Sequence, residues 1–350
     1  MAKAKATAKH LKLALVGAET LLGHELQDVL AKRVETAVIT GYSSTGEGNF
    51  GEQEGEAVYL APLEARDAVT DDAILAAGAT PEGALKSYAI CKRTKGRPIL
   101  IDCAGHLEQQ PEAHIVSTFL RQPDNDKGWL KVIAHPAASI VALVLTRLTR
   151  YVPISQVIAH VFEPASERGK PGITELHRQT TSLLAFKALE KTVFDSQLSF
   201  NVLPQYGEDA AVKLATVEDR INRHLAKLLD EQTRLEGQAG RHQWPMPSLR
   251  VIQVPVFHGY SLSLWIEFDS TVTSEEAAAA LKCPEIDVRG ENDEPPDNVG
   301  ATSQSGLMVG DIRVDRNNSR AIWLWAVGDN LRLTADAAAD IVSGLGPAPK

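Results

Sequence analysis

The feature that most constrains this chain lies near its N-terminus. There a short apolar run meets a glycine turn and then a stripe of helical period. Residues 11–16 read LKLALV, the turn GAETLLG carries Gly17 and Gly23, and Leu22, Leu26, Val29 and Leu30 then recur at spacings of three and four. A strand fed through a tight turn into an amphipathic helix is the opening of a βαβ unit. The grammar repeats downstream, with strands at 37–40, 73–77, 98–101 and 132–134 and a helix near 81–94. Short strands alternating with helices predict a parallel sheet. Residues 41–51 read as a loop of small residues.

The pattern changes in the second half. Leu262, Leu264, Ile266 and Phe268 alternate with Ser261, Ser263, Trp265 and Glu267, as in a strand buried on one face. Residues 156–162, 249–257, 307–314 and 321–327 also read as strands. Helices are expected at 139–148, at 209–235 with the stripe Val212, Val217, Ile221, Leu225 and Leu228, and in the Ala-rich stretch 334–345. The second half is therefore expected to be α+β with a mixed or mostly antiparallel sheet. Residues 122–128, 236–247 and 291–300 read as polar loops. At 350 residues the chain has room for two domains of roughly 150 residues each.

Composition excludes several function classes. The net charge is -9 and no stripe of Lys/Arg interleaves with aromatics, which argues against a nucleic-acid surface. Cys91, Cys103 and Cys283 are odd in number and far apart, so neither a disulfide framework nor a metal site is expected. The apolar runs at 138–145 and 322–327 are far short of the roughly 18 residues of a membrane helix. The lysine-bearing N-terminus reads as a flexible tail rather than a secretory signal, so a cytoplasmic protein is the default.

Several segments carry candidate chemistry, each beside a plainer reading. The turn Gly17–Gly23 could face a dinucleotide pyrophosphate with backbone N–H groups, but Thr20 replaces the middle glycine and Glu19 adds negative charge. The same turn also serves a simple βα connection, and both readings stay open here. Tyr42-Ser43-Ser44-Thr45-Gly46 follows the second strand, where a ribose is usually read, and no Arg stands there for a 2′-phosphate. Cys103 ends a predicted strand after Asp102, as a nucleophile or as a small half-buried residue. His135 before Pro136 could cap the next helix, and His258 could be a surface turn residue.

Taken in order, LALVGAETLLGHEL, ILIDCAGHLE, IAHPAASIVALVL, ERGKPGITEL, LSFNVLPQ, VPVFHGYSLSLWIEF and VGDIRVD…WLWAVGDNLR resemble the aspartate-semialdehyde dehydrogenase family over nearly the full chain. The resemblance implies an N-terminal Rossmann-like domain over 11–135 plus 334–347, after a tail at 1–10. It also implies a substrate and dimerisation domain over 136–333, a homodimer, and NAD or NADP as cofactor. Cofactor contacts would fall at Gly17, Thr20, Leu21, Gly23, Ser43, Ser44, Gly78 and Asn330. In such enzymes a cysteine attacks the aldehyde, hydride passes to the cofactor, and phosphate releases the acyl group.

Carried over residue by residue, that chemistry is missing. Ala138 stands at the nucleophile position, and Tyr260 stands where a histidine moves the proton. Tyr has an ordinary pKa of about 10, a poor base at neutral pH. The substrate arginine becomes His258, the phosphate-clamp segment carries Glu108, and the substrate glutamine becomes Glu163. Glu175 matches an acidic substrate contact. The chain resembles the Usg-type members that lack the catalytic cysteine. The expected function is a catalytically inactive, dimeric binding or regulatory protein that still takes NAD(P), with no metal, nucleic acid or membrane involved and an unassigned small-molecule ligand. The alternative is an NAD(P)-dependent oxidoreductase acting on an aldehyde or oxo group, with its nucleophile moved to Cys103 or with Tyr260 donating a proton.

Overall fold

The computed structural model describes residues 10–53, 56–68, 71–123, 128–236 and 244–345. Its contacts divide the chain into two compact units, one of residues 1–118, 124–133 and 334–350 and one of residues 119–123 and 134–333.

The first unit is built on β1 (Leu11–Val16), α1 (Leu21–Arg33), β2 (Ala37–Tyr42), β3 (Asn49–Gln53), β4 (Glu56–Leu60), α2 (Ala65–Ala68), β5 (Ala73–Ala76), α3 (Pro81–Arg93), β6 (Ile99–Asp102), β7 (Ala113–Val116) and β8 (Leu130–Ile133). Six of these strands form a parallel sheet in the order β2-β1-β5-β6-β8-β7. The order reverses between β1 and β5, the switch point beside which open α/β sheets take ligands at their carboxyl ends. The stripe forecast for α1 is its buried face: Leu26, Val29 and Leu30 pack with Leu13, Leu15, Leu75, Ala338 and Val342.

The second unit holds α4 (Pro136–Thr149), β9 (Ile154–Glu163), a 3-10 turn (Ala165–Arg168), α5 (Gly169–Leu184), α6 (Leu214–Glu236), β10 (Ser248–Gln253), β11 (Tyr260–Phe268), α7 (Ser274–Leu281), β12 (Ile286–Val288), α8 (Asn298–Ala301), β13 (Leu307–Val314) and β14 (Ala321–Gly328). The helix α9 (Asn330–Ser343) follows. The sheet order is β10-β9-β11-β14-β13-β12. It is mixed, with β9/β10 and β12/β13 parallel and the other pairs antiparallel. Leu262, Leu264, Ile266 and Phe268 are buried, as their alternation predicted. The apolar run at 138–145 lies in α4, a core helix buried almost all round. No helix among the described residues is long and apolar enough to cross a membrane.

Some boundaries move for identifiable reasons. The 41–51 loop is shorter than expected because β2 runs to Tyr42 and β3 pairs with β4 in an antiparallel hairpin. Helix α4 starts at Pro136, not at 139, because proline suits the first helical position and His135 caps it. The strand expected over 249–257 stops at Gln253, two residues before Pro255, which has no N–H for a ladder. The final helix starts at Asn330, where Asp329 Oδ1 accepts from the Leu331 and Arg332 amides. The long amphipathic helix begins at Leu214, after its first expected turn, and the 291–300 loop contains the start of α8. Most of the expected tail, with 124–127 and 237–243 of the polar loops, lies outside the described residues.

Candidate functional site

At the carboxyl end of β1, Gly17 turns the chain with φ +91, and a methyl group there would lie 2.1 Å from the Ala77 carbonyl oxygen. A side chain on Gly23 would meet the Gly17 carbonyl oxygen, also at 2.1 Å. Both glycines are needed for the loop to close against its own neighbours, whatever else it does. Between them Thr20 caps α1, its Oγ1 accepting from the Gly23 amide at 3.0 Å. The one proton of the same hydroxyl is shared between the Gly17 carbonyl at 2.7 Å and the Ala77 carbonyl at 2.9 Å. The threonine side chain faces Gly78, which has φ +63. Leu21 opens the helix, half-buried.

Glu19 Oε1 accepts from the Ser44 amide at 2.9 Å, and its Oε2 is buried without a partner. Ser43 is fully buried and its hydroxyl is engaged by Thr45. A dinucleotide pyrophosphate needs close backbone approach at the middle glycine and open N–H groups at the helix start. Here a threonine side chain and a carboxylate take those places. The residues present do not fit the dinucleotide that the resemblance implies.

At the end of β6, Asp102 is completely buried. Its carboxylate accepts from the amides of Ala104 at 3.0 Å, Gly105 at 3.1 Å and Leu107 at 2.7 Å, and so shapes the turn that carries Cys103 and, half-buried, Glu108. Burial and then the charge of Asp102 push the Cys103 thiol well above its ordinary value. A thiolate, the reactive form, is disfavoured there.

The second unit gathers His135, Glu163, Tyr260 and Asn330 into one buried polar cluster. Ala138, in the first turn of α4, is wholly buried and offers a methyl group. His135 caps that helix, its Nδ1 accepting from the Ala137 amide at 3.2 Å. A nitrogen that accepts carries no proton, so the neutral ring holds its hydrogen on Nε2. That nitrogen lies 3.3 Å from the Tyr260 hydroxyl, which donates in turn to Glu163 Oε2 at 3.4 Å. Tyr260 is fully buried, and burial followed by the charges of Glu167 and Glu163 raises its phenol well above the ordinary value. It cannot serve as a base near neutrality.

Glu163 ends β9 with no exposure and pairs with Arg168 at 2.5 Å. The Tyr206 hydroxyl lies 3.1 Å from the same carboxylate oxygen and 2.5 Å from Gln253 Oε1. Burial and the Glu163 charge push Glu167 up to about 7, against the pull of Arg168, of Asn330 and of Arg220. Asn330 Nδ2 donates to Glu167 Oε1 at 2.8 Å, while its Oδ1 accepts from the Gly259 amide and the Ser166 hydroxyl, both at 3.1 Å. The cluster thus pairs Glu163 with Arg168 and leaves Glu167 titrating near neutrality, and the residues described in it include no sulfur nucleophile.

Glu175 and His258 have other partners. The Glu175 carboxylate accepts from the Gln179 side chain, the Thr192 hydroxyl and the Val193 and Phe194 amides, which fixes the chain after α5. His258 is half-buried, and its carbonyl accepts from Asn298. Sequence reading did not single out Arg168, Glu167, Tyr206 or Gln253. The acids at 163 and 167 beside Arg168 were a visible signal, but an ion pair on a surface helix reads the same way.

Residues 145–333 match the family model described as "Semialdehyde dehydrogenase, dimerisation domain". An aspartate-semialdehyde dehydrogenase of Rickettsia bellii is 26% identical over 343 residues, covering 93% of this chain and 94% of the relative. A USG-1 protein homolog of Azotobacter vinelandii is 26% identical over 336 residues, covering 92% and 93%. Among solved structures, a probable aspartate-semialdehyde dehydrogenase from Pseudomonas aeruginosa superposes with TM-score 0.78 at 25% identity, covering 96% of this chain and 98% of that one.

Proposed function

This chain belongs to the aspartate-semialdehyde dehydrogenase family, and on that footing we propose that it is a homodimeric, cytoplasmic member that does not perform acyl transfer and acts by binding or regulation. One observation carries the reading: the position implied for the nucleophile is the buried methyl of Ala138. A thioester needs sulfur, and removing the nucleophile from a covalent mechanism costs many powers of ten. The base position points the same way, since Tyr260 is enclosed, neutral and bonded to His135 and Glu163. The matched domain, described as a dimerisation domain, supports the homodimer.

A relocated mechanism has less behind it. The Cys103 thiol is held protonated by burial and by Asp102, and the Tyr260 hydroxyl is already committed to two internal partners. The test incubates purified protein with aspartate semialdehyde, NADP and phosphate, following reduced cofactor and intact mass. The expected result is no turnover and no covalent adduct. Turnover within the usual enzyme range, about 1 to 10³ per second, overturns the reading. Sedimentation at micromolar concentration checks the dimer, and a monomer there refutes that part alone.

A further inference from the structure

We infer that the crevice between β1 and β5, the natural seat of a dinucleotide in this fold, is laced shut by the chain's own side chains and does not take NAD or NADP. The inference concerns the first unit only and is independent of the lost nucleophile. Three loops leave the carboxyl ends of β2, β1 and β5 around the switch point. In a doubly wound sheet that binds a dinucleotide, the backbone of the first βα turn and the helix start approach the pyrophosphate at this point. Here the three loops are hydrogen-bonded to one another. Thr20, from the loop after β1, reaches across to the Ala77 carbonyl at the end of β5 at 2.9 Å. Glu19, from the same loop, accepts from the Ser44 amide after β2. The Ser44 carbonyl in turn accepts from the Thr80 amide at 2.9 Å, at the start of α3.

The chemistry of each link matters. The Thr20 hydroxyl takes the Gly23 amide, one of the few open donors at the helix start. Its side chain projects toward Gly78, so the space a middle glycine would leave for phosphate is filled from within the loop. The second oxygen of Glu19 is buried and without a partner, which places an uncompensated negative atom where phosphate charge would sit. Ser43, at the position that would meet a 2′-phosphate, is buried and spent on Thr45. Filling, charge and spent donors all oppose the same ligand.

The experiment titrates NAD, NADP and their reduced forms into the full chain by calorimetry, beside the double variant Glu19→Thr/Thr20→Gly. The wild type is expected to bind none of the four below about 1 mM, and the folded double variant to bind at least one about tenfold more tightly. Micromolar binding by the wild type overturns the inference. So does a double variant that keeps the wild-type circular dichroism spectrum and still binds nothing, because Glu19 and Thr20 would then not be what closes the crevice. Should the double variant not fold, hydrogen exchange on the wild type decides. Protection of the Gly23, Ser44 and Thr80 amides unchanged by millimolar NADP supports the lacing, and slowed exchange on adding NADP refutes it. None of these readouts depends on turnover, so their failure is separable from that of the acyl-transfer reading.

Discussion

Replacing Glu167 with Gln should remove a pH dependence of stability that the wild type carries. Glu167 sits beside Glu163 and accepts from Asn330 Nδ2, and its carboxyl is raised from 4.5 to about 7 in the folded chain. Between these two values the folded state holds a proton that the unfolded state has released. Stability contributed by this group is therefore full at acid pH and falls as pH rises through the window, levelling above about 7. At about 1.4 kcal/mol per unit, the loss amounts to at most about 3 kcal/mol, less whatever solvation a half-buried carboxylate retains. Gln keeps the shape and an oxygen for Asn330 but cannot ionise. Urea unfolding of both proteins at pH 5, 6, 7 and 8 isolates the term, since other titrating groups cancel in the difference. The wild type should lose about 2 to 3 kcal/mol relative to Glu167→Gln between the ends of that series. A difference that stays flat, or one of opposite sign, would show that Arg168 and Arg220 hold the carboxylate ionised throughout.

Other expectations follow from the same structure. Arg168→Met leaves Glu163 buried without its cation and should cost about 3 to 5 kcal/mol, measured by denaturant unfolding. The double variant with Glu163→Gln should recover most of that loss, and no recovery would mean that packing rather than charge sets the cost. Gly17→Ala forces a methyl against the Ala77 carbonyl at a positive φ, and should destabilise by about 2 kcal/mol or more in thermal melts. Ala138→Cys should not restore turnover with aspartate semialdehyde, NADP and phosphate, because the base remains a buried phenol. Activity from that single change would disprove the loss of the remaining machinery.

Local pattern carried much of the fold. The strand, turn and stripe at 11–30 were legible because period and glycine placement are properties of neighbouring residues. The alternation in β11 was legible for the same reason. The β3–β4 hairpin escaped because Asn49-Phe50-Gly51 carries little apolar alternation. The missing nucleophile and the threonine in the glycine turn could be read directly from residue identity at 138 and 20.

What those residues do was decided by partners distant along the chain. Thr20 acts on Ala77, 57 positions away. Tyr260 lies between His135 and Glu163, 125 and 97 positions away. Glu163 and Arg168 are only five apart, yet whether they form a surface pair or a buried one depends on β10, β11 and the residues after α5 folding over them. Sequence alone determined which atoms were available. The tertiary structure determined which met and how much water stayed between them, because burial and hydrogen bonding across distant segments set the charge state of each group.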